Sequence, residues 1–170
     1  LVWFDSESNF LKELGGWGRG PQEFNTPHAI TQDSKGRILV ADLVGGNFHD
    51  YMTLPNQISE ERKNTDESAY HRIQRFNADG TYIDEWTHIT PLSLTTYDKK
   101  IYASDKMSDL VILNEDSGEI EERVEKISVY IHQLAMDKHG DLYAASVYPE
   151  HAGEKRGREG PSHRRWTRDP

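Results

Sequence analysis

Cysteine is absent from the 170 residues. That removes a disulfide framework and any thiolate metal site, and it leaves the compartment open. No apolar run approaches the ~18 residues that a membrane-spanning helix needs. Mean hydropathy is low, at −0.83, yet four Trp, eight Tyr and five Phe are far more than a disordered chain carries. Such a composition suits many short, half-buried strands. Basic residues are scarce in residues 1–150, where fourteen Lys/Arg face twenty-six Asp/Glu for a charge near −12, whereas 151–170 hold six Lys/Arg and three acids. An acidic body argues against a surface that tracks phosphates, so nucleic acid is not an expected partner. The motifs of several chemistries are missing too: GxSxG, the P-loop, HExxH and the EF-hand loop are all absent. Glu121-Glu122 fall on an outer strand, where charge keeps a sheet edge soluble, and no acid pair is placed for glycosidase chemistry.

What the chain does have is repetition. A glycine-rich approach (Gly15, Gly16, Gly18, Gly20, Pro21) cannot hold a regular element. A strand then begins near Pro27-His28, Asp33-Ser34-Lys35-Gly36 supplies turn chemistry, and Arg37–Ala41 reads as a second strand. The pattern returns at Pro91–Asp105 and at Ile131–Ala145. A second hairpin type alternates with it, at Leu1–Phe10, Arg72–Tyr82 and Leu110–Ile120. Two hairpins make a unit of four short strands, and such units at a period of ~40 residues mark a β-propeller. The expected fold is therefore all-β, with residues 1–147 as propeller blades: about two whole and two partial. Successive inner hairpins start 64 and then 40 positions apart (His28, Leu92, His132). The excess falls in 43–71, read as a long inserted loop. Residues 148–170 are an irregular basic tail or the start of a further blade. Closed propellers use 4–8 blades, so the expectation is a partial chain with raw sheet edges. Trp17 and Trp86, each following an outer strand, are expected between blades. Asp42 and Asp105 are expected to accept backbone N–H groups where the chain leaves a sheet.

The run GxxxxxFNTPHAIxxDSKGRILVAD, followed by HRIQRFNADGTYIDEW, resembles the NHL-repeat class of six-bladed propellers over about residues 1–147. Within that class it is most similar to the peptidyl-α-hydroxyglycine α-amidating lyase propeller. The resemblance implies a zinc ion held at the centre by one histidine from each of three alternate blades. His28 and His132 occupy that position in two blades, and Leu92 stands in the blade between them. The third ligand and the catalytic tyrosine would fall upstream of Leu1. Three neutral imidazoles with an open fourth position let zinc polarise a bound hydroxyl or water, and the family chemistry yields an amide and glyoxylate. This sequence departs at Leu43, where the lyase carries a carboxylate-binding arginine. It departs again at Gln133, in place of a calcium-site aspartate, and at Tyr130, in place of methionine. The resemblance also implies a secreted or periplasmic home.

Two function classes remain open on these residues. One is a zinc-dependent lyase, or a related hydrolase, that takes a small-molecule or peptide substrate at His28 and His132. The other is a non-catalytic propeller that binds a protein or glycan through its top-face loops, with the same histidines lining a channel and bonding water. Phe48, His49, Asp50 and Tyr51, together with Tyr130, are the expected channel-mouth residues. His88, His139, His151 and His163 read as solvated loop or tail residues.

Overall fold

The structure is a computed structural model, and it describes residues 1–44, 70–105, 108–127, 130–146 and 163–166. Among these there is no helix, and so none long and apolar enough to cross a membrane. The chain opens with an antiparallel pair, β1 (Val2–Phe4) and β2 (Phe10–Glu13), followed by a short parallel bridge between β3 (Gly16–Trp17) and β4 (Glu23–Phe24). A four-stranded antiparallel meander follows, β5 (Pro27–Gln32), β6 (Ile38–Val44), β7 (Tyr70–Phe76) and β8 (Tyr82–Trp86), hydrogen-bonded in that order. A second meander repeats it with β9 (Leu94–Tyr97), β10 (Lys100–Asp105), β11 (Asp109–Asn114) and β12 (Ile120–Val124). A third sheet contains β13 (Ile131–Met136), β14 (Leu142–Ser146) and β15 (His163–Trp166). Residues 163–166 pair antiparallel with β14 as a third strand. Among the described residues no sheet closes on itself.

The sheets stack face to face in chain order, and the two-residue period of a strand explains how. On β6, Leu39 and Ala41 point one way, joining Ile73 and Trp86 against Leu94, Ile101, Ala103, Val111 and Leu113 of the second meander. Ile38 and Val40 point the other way, with Phe24 and Phe76, toward Leu1, Trp3 and Leu14 of the opening pair. The second meander does the same: its even-numbered Tyr102, Leu110 and Ile112 meet Ile131, Leu134, Leu142 and Ala144 of the third sheet. Middle strands covered on both faces need near-continuous apolar runs. The sequences ILVADLV and DLVILN supply them. Outer β12, IEERV, does not, and its first three residues are exposed.

Hairpin turns are set by side chains. Asp33 Oδ1 accepts the N–H groups of Lys35 and Arg37, both at 2.9 Å, while Gly36 takes φ +79°. Asp137 does the same for His139 and Asp141, with Gly140 at +88°. The turn of the second meander is shorter, only the two residues Asp98-Lys99 between paired Tyr97 and Lys100, with both φ positive, the primed geometry that matches strand twist. Its outer turn locks onto the first meander: Ser34 Oγ donates to Glu115 at 2.6 Å, and Arg37 and Arg75 both donate to the Glu115 carbonyl.

The two tryptophans part company. Trp86 is buried in the core between the meanders, beneath the Arg75 guanidinium at 4.3 Å. Trp17 is 79% exposed, against expectation. Register gives the reason. Phe4 pairs with Phe10 as Phe76 pairs with Tyr82, so Leu14, four residues after Phe10, holds the station of Trp86. Trp17 lies three residues further on, in the bridge with β4, beyond the packed face.

Candidate functional site

The approach to β5 is anchored by one buried carboxylate. Asp42 Oδ1 accepts the backbone N–H groups of Asn25 (3.0 Å) and Thr26 (2.9 Å), and Leu43 N–H donates to the Thr26 carbonyl at 3.0 Å. Asp105 caps Thr90 N–H at 2.7 Å at the same point of the second meander. These contacts tie the end of the second strand to the residues just before the first, so the following side chain is delivered from a fixed backbone.

That side chain is His28, and the strand bulges there. Pro27 pairs with Asp42 and Ala29 with Ala41, leaving His28 as the extra residue. β13 repeats the device: Ile131 pairs with Ser146 and Gln133 with Ala145, leaving His132 over. A bulge bends the strand and re-aims its side chain. β9, which follows Leu92, pairs with β10 without one. The two histidines, from sheets separated by the second meander, come together with ring centroids 5.1 Å apart and planes at 80°. Both are partly buried.

His28 Nδ1 lies 2.7 Å from the Leu92 carbonyl oxygen. A carbonyl only accepts, so Nδ1 carries the proton and donates, which puts the lone pair of the neutral ring on Nε2. Burial lowers the His28 pKa from its ordinary 6.5. The bond to Leu92 works against that shift, and a charge on His132 would add to it. The ring is thus held neutral and in one tautomer, the state of a metal-ligating imidazole whose other nitrogen is fixed by an acceptor. Two imidazoles sharing one tetrahedral zinc, with Zn–N of about 2.0–2.1 Å, have ring centres about 5 Å apart. The observed spacing fits. Tyr130 stacks on His132, with centroids 6.2 Å apart and planes at 21°.

Among the described residues no group of three or more His, Asp or Glu is gathered to hold a metal; the pair brings together two imidazoles, where a catalytic zinc site uses three protein ligands. Phe48, His49, Asp50 and Tyr51 lie outside the described residues. Gln133 is exposed, and Leu43 is buried within β6 opposite His71. His139 is exposed in its turn, and exposed His88 bonds the Gly118 carbonyl through Nε2 at 2.8 Å.

Sequence reasoning passed over three residues here. His71, partly buried on β7, has its pKa lowered by burial, with Asp42 opposing. Ser93 and Ser104 are fully enclosed beside Leu92, and nothing in the sequence distinguishes them from surface serines. No protein-family model matches the chain.

Proposed function

We propose that this chain forms part of a six-bladed, NHL-type β-propeller whose central channel holds zinc on His28 and His132, and that the centre serves a lyase similar to the peptide α-amidating lyase or a related hydrolase. The observation that carries the reading is the meeting of two bulge-borne imidazoles from alternate sheets at the spacing of shared ligands. Serial face-to-face stacking of antiparallel sheets, two of them four-stranded meanders, supports the propeller. Zinc bound there would polarise a hydroxyl or water of the ligand. The chain's own contribution is positioning. The Leu92 carbonyl fixes the His28 ring, burial keeps it unprotonated, and Tyr130 braces His132. The substrate class is a small molecule or peptide with a hydroxyl at the reacting carbon. With Leu43 buried and apolar, a substrate carboxylate finds no partner at that position.

A second reading rests on Trp17, whose exposed indole in the glycine loop suits a non-catalytic propeller that binds a protein or glycan. Metal titration separates the two. Chelator-treated protein titrated with zinc is expected to bind one ion per chain. His28→Ala or His132→Ala should weaken it by more than the about tenfold to hundredfold that losing a mere supporting contact costs. Absence of binding, or binding unchanged in both variants, overturns the metal reading and leaves the binding module.

A further inference from the structure

The second meander contributes no histidine, yet it touches both histidine strands through one small polar network. Ser104 is 0% exposed, and its Oγ accepts two backbone N–H groups, Leu92 at 3.1 Å and Ser93 at 2.9 Å. A hydroxyl has two lone pairs, so both are used. Ser104 N–H in turn donates to the Ser93 carbonyl at 3.1 Å, which closes the peptide segment around its own partner. From that clamped segment two bonds leave in opposite directions. The Leu92 carbonyl accepts from His28 Nδ1 on β5. Ser93 Oγ accepts Leu134 N–H at 2.8 Å, two residues past the His132 bulge on β13.

We propose that Ser104 and Ser93 are positioning residues for the two-histidine site: Ser104 fixes the Leu92 peptide, whose carbonyl selects the His28 tautomer, and Ser93 holds β13 in register behind His132. This rests on the proposed metal reading for its use, but not for its test. At the stations of Ser104 in the flanking sheets stand Ala41 and Ala145, so the device belongs to the leucine-bearing sheet alone. An alanine at 104 leaves two buried N–H groups without an acceptor, and the peptide plane is then free to rotate to find others. A merely structural serine would lower stability without touching the imidazole.

The test is the His28 tautomer, read in metal-free protein from imidazole nitrogen shifts by two-dimensional NMR at a pH where the ring is neutral. Wild type is expected as the Nδ1–H form. Ser104→Ala is expected to shift His28 to a mixture and to weaken zinc binding by about tenfold or more, as loss of an outer supporting contact does. Ser104→Thr, which keeps the hydroxyl, restores both. Should Ser104→Ala fail to fold, Ser104→Cys, of similar volume and a weaker acceptor, carries the same expectation. Ser93→Ala should weaken zinc binding and leave the His28 tautomer unchanged. A tautomer unaltered in a folded Ser104→Ala or Ser104→Cys protein overturns the inference. If wild type binds no zinc, the metal reading fails by itself, and the tautomer still decides whether Ser104 positions His28.

Discussion

Arg72 offers the sharpest test of the packing logic behind the site. It is fully buried, and all five of its N–H donors are used. Nε and Nη2 both reach Asp42 Oδ2 (3.1 and 2.9 Å), and Nη2 also donates to the Glu23 carbonyl (2.8 Å). Nη1 donates to the Arg19 carbonyl (2.7 Å) and to Glu85 Oε2 (2.9 Å). One guanidinium therefore ties the glycine loop to the sheet and neutralises the carboxylate that caps Asn25 and Thr26. Arg72→Met retains length and apolar bulk but strips these donors, leaving a buried carboxylate unpaired. Breaking a buried pair from one side costs about 3–5 kcal/mol, a large part of the about 5–15 kcal/mol that holds a domain together. Arg72→Lys, with three donors and no fork, should lose less and stay measurable. The assay is urea unfolding of the single variants and of Arg72→Met/Asp42→Asn. Asparagine keeps an Oδ1 acceptor for Asn25 and Thr26 while removing the charge. The double variant should therefore be more stable than the summed losses predict, by more than about 1 kcal/mol. A cost for Arg72→Met below about 1 kcal/mol, the worth of an exposed ion pair, would refute the reasoning.

Two other predictions follow from the same geometry. Gly118 has φ +73°, and a Cβ there would lie 2.5 Å from the Trp86 ring, so Gly118→Ala should cost about 2–4 kcal/mol through backbone strain and overpacking together. Gly36, at φ +79° with nothing nearer than 3.6 Å, should lose only the backbone part, about 1–2 kcal/mol, and thermal melts of the pair read the difference. Burial lowers the pKa of both His28 and His71 from 6.5, so the unfolded chain binds more protons than the folded one just below that value. The stability these neutral rings contribute is therefore complete above pH 6.5 and drains away as pH falls through the lowered folded values. Urea midpoints at about pH 7.5 and 5.5 should converge for His71→Gln relative to wild type, and an unaltered difference sinks the assignment.

The stacked hairpins were legible because their signal is repeated: short apolar runs such as those of β6 and β11, and an Asx-and-glycine turn at Asp33 and again at Asp137. The equivalence of the His28 and His132 positions was legible for a related reason, each standing at the same offset from its hairpin. Trp17 was misread because side-chain size is visible in a sequence and register is not. Leu14, a less conspicuous residue, sits at the packing station, and three further residues carry Trp17 past it. Ser104 was not legible at all. A buried serine differs from an exposed one only by what it bonds, and its partners here are backbone groups that no residue name encodes.

Leu92 shows what that blindness conceals. By residue type it looks like the position where a ligand pattern lapses, an apolar side chain between two imidazoles. Its side chain is buried, and the peptide carbonyl does the work, accepting from His28 at 2.7 Å. The same station thus takes two forms. Where the strand bulges, the side chain is aimed outward and the residue is histidine. Where the strand runs straight, a serine hydroxyl on the neighbouring strand satisfies the N–H groups, and the carbonyl is left to serve the neighbouring sheet. A histidine at 92 would need the bulge, and the bulge would turn away the carbonyl that fixes His28. On this argument the alternation of His28, Leu92 and His132 follows from one backbone holding either an imidazole or the acceptor that orients one, but not both.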